Sequence, residues 1–340
     1  MKELQRSEHK AGRTMPVLVQ DIDAEQAHDV TIAVVIPAYN EEATLAHVLE
    51  DFCRELPDAE LIVVNNASTD NTSQVAHATL ERLKCVGRVI QESERGKGHA
   101  IRRAFAEVDA DIVVMVDADS TYPASDVHRL MAPIRAGQAD MVVGDRHAEG
   151  RYRHENKRAF HGFGNVLVRW TINRLFRAHL HDVLSGFRAF SRQFVEHFPV
   201  MSAGFELETE MTLHALDKRF RVQECPIVYR DRPAGSISKL KTFSDGFRVL
   251  RTILNIFRCY RPMGFFGSLA VLFALTGLLV GTRVIVEFVL YRYVYAVPSA
   301  ILATGLMIFA VLCVSLGLIL DTVVKLHHAD FELRLRARKR

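Results

Sequence analysis

Five short apolar, β-branched runs punctuate the first half of the chain, at residues 31–36, 61–64, 86–90, 112–116 and 141–143. Between them, apolar positions recur every three or four residues over 42–56, 71–83, 98–108 and 126–134, the spacing of a helix that buries one face. Continuous apolar strands alternating with such helices predict an α/β fold, a mostly parallel sheet with helices on both faces. In such sheets ligands bind beyond the carboxyl ends of the strands.

The pattern changes in the last third. Phe243, Phe247, Leu250, Leu254 and Phe257 recur at helical spacing, opposite Arg248, Arg251 and Arg258. A basic amphipathic helix leading into a membrane span is expected in the headgroup layer; the plainer alternative is a surface helix packed on the domain. Residues 263–281 (MGFFGSLAVLFALTGLLVG) and 297–320 (VPSAILATGLMIFAVLCVSLGLIL) carry no charge, and each approaches or exceeds the roughly 20 residues that cross a bilayer. The short link at 291–296 (YRYVYA) predicts an antiparallel hairpin with tyrosines at the membrane interface. Arg258, Arg261, Lys325 and the terminal RLRARKR flank one end; Arg283 and Arg292 stand at the other, Arg283 within reach of Glu287. That asymmetry predicts a cytoplasmic N-terminal domain and C-terminus.

The expected organisation is therefore a loose polar tail at 1–29, a catalytic domain at 30–235, an interface helix at 236–262, spans at 263–290 and 297–320, and a basic tail at 321–340. No apolar leader opens the chain, which carries a net charge of only +3, too little to suggest a nucleic-acid partner. Five cysteines stand singly, with no CxxC spacing, and read as reduced thiols rather than a disulfide frame.

The candidate chemistry lies where the strands end. Pro37 stops the first, Tyr39 offers an aromatic face, and Asn40 is placed to cap the following helix. Residues 65–70 (NNASTD) form a second cap and turn, and Lys97 in ERGKG opens a third helix, where free N–H groups hold phosphate. The fourth strand runs into Asp117-Ala-Asp119, and extended alternation would point both carboxylates to one side. Two hard oxygen ligands there suit Mg²⁺ or Mn²⁺ on a diphosphate, against the bland reading of an acidic turn.

In order and spacing, PAYNE, NNASTDNT, ERGKGHA, DADST and VVGDR resemble the family 2 glycosyltransferases with the Rossmann-like GT-A fold. DVLSGFRAF, GFELETE, RPAGSISKL and DGFRVLRTI, with a two-helix anchor, look like polyprenyl-phosphate sugar transferases related to dolichol-phosphate mannose synthase. The similarity runs over about residues 32 to 320. It implies a nucleotide sugar bound by Pro37, Tyr39, Asn40, Glu41, Asn66, Asp70 and Lys97, and a metal on Asp117 and Asp119. It further implies phosphate contacts from Arg146, Ser185, Arg188, Arg232 and Lys239, a polyprenyl phosphate acceptor, and a homo-oligomer in the bilayer. Of three acidic residues, Glu206, Glu208 and Glu210, Glu206 matches the family's acidic position, beside the alternative of a helix-start carboxylate. Two departures bear on base and metal: Asn65 and Asn66 stand where many relatives carry a base-reading Asp, and Thr121 where relatives offer Gln.

The resemblance implies inverting in-line attack by a phosphate anion. A hydroxyl acceptor, a processive polymerase and a non-catalytic nucleotide-sugar module are the competing readings. A polymerase would need several spans and QxxRW; the chain's Arg169-Trp170 comes too early. Residues 151–158 (RYRHENKR) read as a solvated charge run before a mobile acceptor loop. His179, His181 and Asp182 read as a surface turn before a metal cluster, Trp170 as core, and His327 and His328 as interfacial bystanders.

Overall fold

The computed structural model describes residues 30–147, 159–204, 206–230 and 245–338, with the backbone alone for 159–163, 245–252 and 338. The predicted core is present. Strands β1 (Ile32–Ala38), β2 (Glu60–Asn66), β3 (Gly87–Glu92) and β4 (Ile112–Met115) pair in parallel, connected by helices α1 (Leu45–Glu55), α2 (Thr72–Leu83) and α3 (Lys97–Glu107). Helix α4 (Val127–Arg135) leads to β5 (Met141–Asp145), and α5 (Ala159–Phe176) follows. Two short strands that periodicity does not reveal complete the sheet: β6 (Arg188–Ser191), antiparallel to β4 and β5, and β7 (Val222–Pro226), parallel to β5. The order is β3-β2-β1-β4-β6-β5-β7.

Alternation explains why both faces are covered. Val34, Ile36, Leu61 and Val63 enter one core with Leu45, Leu49 and Phe52 of α1. Ala33, Val35, Ile62 and Val64 enter the other with Ile101 of α3 and with Phe194 and Met211, which lie on α6 (Arg192–His197) and α7 (Leu207–Asp217).

Helix α8 (Asp245–Tyr260) precedes the apolar pair α9 (Pro262–Tyr291) and α10 (Val297–Arg338). These two pack antiparallel: Phe273 meets Phe309, and Gly317 lies against Met263 and Phe266. Their most apolar windows have mean hydropathies of 2.2 and 2.5, yet only 11% and 17% of those windows is buried. Apolar helices left so exposed require lipid around them, so the chain is a membrane protein. At the far end Arg283 Nε lies 3.5 Å from Glu287 Oε1, as the spacing predicts.

Five expectations need correction. Residues 321–338 are not a separate tail, because α10 continues through them as one helix and returns to the catalytic domain. Phe331 packs against His197, His214 and Phe220, Lys218 Nζ lies over its ring, and His328 Nε2 meets Asp217 Oδ2 at 2.9 Å. His328 is therefore a docking residue rather than a bystander. Trp170 is 61% exposed, not core, since Val168 and Ile172 turn the buried face of α5 the other way. Cys53 and Cys85 form a disulfide; packing of α1 on α2 brings Cys53 to the turn after α2, joining residues 32 apart in sequence. Finally, the cap of α1 is Thr44, not Asn40.

Candidate active site

The site forms at the carboxyl ends of β1, β2 and β4. Asn40, at φ 52°, bonds across to the loop after β2 instead of capping α1: its Oδ1 accepts from Thr69 N at 2.8 Å, and its own N–H donates to Ser68 Oγ at 3.1 Å. Glu41 N donates to Thr72 Oγ1 at 2.9 Å. Asp70 accepts from Thr72 N, Thr72 Oγ1 and Glu42 N. Burial alone would raise the Asp70 carboxyl, but these donors hold it below its ordinary range. Arg95 lies 4.3 Å from the centre of the Tyr39 ring. The first two strand-end motifs are thus one hydrogen-bonded rim, with Pro37 at its base in register with Val64.

The third motif is held by Asn66. Its Nδ2 donates to Glu94 O at 2.6 Å, and its Oδ1 accepts from Gly96 N at 2.7 Å. Asn65 Nδ2 donates to Gln91 Oε1 at 2.6 Å, leaving its buried Oδ1 without a partner among the described residues. Gly98 N donates to Ala203 O at 3.1 Å, and a Cβ at Gly98 would stand 1.7 Å from Ser202 O. Only glycine admits that approach, which directs Lys97 inward.

Lys97 Nζ lies 2.5 Å from both Asp117 Oδ1 and Glu208 Oε1. Burial by itself would lower the Lys97 ammonium, but the two carboxylates outweigh it and hold the group above its usual range. β4 ends at Met115, so Asp117 and Asp119 are presented by a turn, not by the extended alternation expected; Ser120 stands there at φ 58°. Asp119 is buried and accepts from Thr121 Oγ1 at 2.6 Å, so Thr121 orients the carboxylate. Gly186 sits against Asp117: a Cβ there would lie 2.3 Å from Oδ2. Gly186 N donates to the buried Tyr122 hydroxyl at 3.2 Å.

The three acidic residues differ in setting. Glu206 is exposed at the start of α7, whereas Glu208 is buried against Lys97. Glu210 accepts from Met201 N and Ser202 N at 2.9 and 2.8 Å, fixing the backbone on which Gly98 rests.

Among the expected phosphate ligands, Arg146 is gripped by Asp182, Nε to Oδ2 at 2.6 Å and Nη2 to Oδ1 at 2.9 Å, with Tyr229 5.6 Å away. Burial opposes ionisation of Asp182, but the Arg146 charge prevails and keeps its carboxyl low. Asp182 is therefore an internal anchor rather than part of a surface turn. Arg188 is fully buried and donates to Ser185 O, Val183 O and Thr212 Oγ1 at 2.8, 2.8 and 2.9 Å. Burial lowers its pKa to about 10. Its position makes it a brace between the Val183–Ser185 backbone and α7, not a phosphate ligand. Ser185 Oγ is buried without a partner among the described residues. Arg232, Lys239 and the 151–158 run lie outside the described residues.

A sheet of this order, with an acidic turn after β4 and a Gly-Lys-Gly helix start beside it, defines a GT-A glycosyltransferase. The glycosyl transferase family 2 model matches residues 33–198, and the chain belongs to that family. It is 29% identical over 302 residues to the glycosyltransferase AglJ of Haloferax volcanii, covering 88% of this chain and 96% of that one. It is 30% identical over 225 residues to the dolichyl-phosphate hexose transferase of the same organism, covering 66% and 93%. Among solved structures, glucosyl-3-phosphoglycerate synthase from Mycobacterium tuberculosis with Mn²⁺, uridine-diphosphate-glucose and phosphoglyceric acid superposes with a TM-score of 0.52 at 25% identity, covering 67% and 80%.

Proposed function

We propose that this glycosyltransferase moves a sugar, with inversion, from a UDP- or GDP-sugar to a polyprenyl phosphate at the cytoplasmic membrane face. The observation that carries this reading is the Asp117–Lys97–Glu208 cluster at the sheet edge, in a chain whose next elements are an interface helix and two spans. The relative named dolichyl-phosphate hexose transferase supports the acceptor class, and the nucleotide sugar in the solved neighbour supports the donor class.

In this reading Tyr39, Asn40, Glu41, Asn66 and Asp70 build the nucleotide rim, and Lys97 meets the donor diphosphate. The donor set fits a hard divalent ion: Asp117 and Asp119 offer carboxylate oxygens, with Thr121 orienting the second. Mg²⁺ or Mn²⁺ held there supplies Lewis-acid stabilisation of the departing nucleoside diphosphate. Lys97 holds the Asp117 carboxylate in place. An acceptor phosphate, with a second pKa near ~6, is already largely anionic at neutral pH, so attack needs cations more than a general base. Arg146, its planar fork oriented by Asp182, is the described candidate for guiding that anion, with Arg232 and Lys239 as further ones. Ser185 lies in the same loop, and Glu206 is retained as an outer acidic contact to be tested against Glu208.

The test is a panel of nucleotide sugars offered with polyprenyl phosphate or with the dephosphorylated polyprenol. Nucleoside diphosphate release that requires the phosphate, with a product cleaved by mild acid, is the expected result. Equal transfer to the polyprenol would establish a hydroxyl acceptor, and inactivity with every donor would favour a binding module.

A further inference from the structure

We propose that Asp145, His181 and Glu224 form a second divalent-cation site, of zinc type, separate from the Asp117/Asp119 pair. Their three ligand atoms all lie within 4.8 Å of one another. His181 Nδ1 is 3.1 Å from Glu224 Oε2 and 3.8 Å from Asp145 Oδ2. A tetrahedral ion with bonds of about 2.0–2.2 Å to nitrogen and oxygen places its ligands roughly 3.3–3.6 Å apart. The set is thus spaced to close on an ion with only a small adjustment.

The fold builds this arrangement deliberately from three elements. Val143 of β5 stands in register with Glu224 of β7, and Asp145 is two residues further along, on the same face of the sheet. His181 comes from the loop after α5, and Glu224 holds that loop: Oε1 accepts from His181 N and Asp182 N, each at 2.7 Å. The imidazole is therefore positioned by a carboxylate that is itself a ligand.

Asp145 gives the independent sign that something is meant to bind. Only 6% of the residue is exposed. Its Oδ1 accepts from His147 N at 2.8 Å, while Oδ2 accepts no hydrogen bond among the described residues and faces the imidazole. Two carboxylates held this close repel one another unless a cation intervenes. Arg146 does not serve, because its guanidinium is taken by Asp182. One imidazole nitrogen and two carboxylate oxygens match the ligand preferences of Zn²⁺. The His181 side chain is 70% exposed, which leaves the outer side of the site to water.

Such an ion would pin the β5–β7 edge to the loop carrying Asp182, Ser185 and Gly186. It would steady the grip on Arg146 and the contact with Asp117 without touching substrate. The inference does not depend on which sugar or lipid is used.

The experiment uses the full-length chain in detergent, free of affinity tag, with Asp117→Asn and Asp119→Asn removing the other site. After chelation, Zn²⁺ is titrated in, with uptake read by elemental analysis and calorimetry and the ligands read by X-ray absorption. The expected result is one Zn²⁺ per chain in a nitrogen-and-oxygen shell, with His181→Gln and Glu224→Gln each weakening binding at least about tenfold. Unchanged circular dichroism of His181→Gln shows that the fold is intact. Absence of zinc uptake, or uptake unaltered by His181→Gln, overturns the proposal.

Discussion

Glu206 and Glu208 stand two residues apart, yet one faces solvent and the other is buried on Lys97. Replacing Glu208 by Gln removes one of the two charges that hold the ammonium, so donor turnover should fall by about tenfold or more, while Glu206→Gln should stay within about twofold. Steady-state kinetics on the two variants decide between them, and equal losses would contradict the assignment. Lys97→Met would leave the buried Glu208 and the half-buried Asp117 without their partner, a loss of about 3 kcal/mol measurable as a lower thermal midpoint. The sequence displays Asp117, Asp119 and Lys97 because strand ends and helix starts are local signals. It hides Glu208 and Asp182, since their partners are 111 and 36 residues away. Arg188 misleads for the opposite reason: the family resemblance implies a phosphate contact, but β6 turns its side chain into the core.

Helix and strand periods made β1 to β5 and α1 to α4 legible, whereas β6 and β7 are short, lack a continuous β-branched run and are defined by pairing, β6 with β4 and β5 and β7 with β5. The extension of α10 was equally hidden, because its basic, polar composition resembles a solvated tail. Phe331, only 9% exposed, shows otherwise. Loss of a buried Phe side chain typically costs about 3–5 kcal/mol. Phe331→Ala should accordingly release the end of α10 and speed tryptic cleavage around Arg334 and Arg336 at least about tenfold, since each 1.4 kcal/mol of local stability is worth roughly that factor. Unchanged cleavage would mean that the end of α10 does not dock.

The same interface carries a pH response. Burial, then the Lys218 charge, lowers the His214 pKa from 6.5 to about 4. The unfolded chain therefore binds a proton that the folded one refuses between those values. Stability from this group is complete above pH 6.5 and declines as pH falls toward 4, by up to about 3 kcal/mol. The melting temperature of His214→Leu should be less acid-sensitive than that of the unaltered chain over that window; parallel curves would contradict the buried, neutral imidazole.

At the scale of the whole molecule, the catalytic domain is joined to the apolar helix pair at two points. α8 leads directly into α9, where Arg261 Nη2 donates to Leu175 O at 3.1 Å, and the far end of α10 returns to α7. A single 11-residue helix, α7, thus connects the docking residue Asp217 with Glu208 beside the acidic turn. For the proposed lipid-borne acceptor, this double attachment would hold the site at a constant distance from the apolar helix pair. The central claim is that the acidic turn activates a nucleotide sugar for attack by that phosphate. It is tested most directly by the initial rate of lipid-linked sugar formation in nanodiscs containing polyprenyl phosphate, for the unaltered chain, Asp117→Asn and Asp119→Asn. The account predicts a fall of about a hundredfold or more in both variants; full-rate synthesis by either would contradict it.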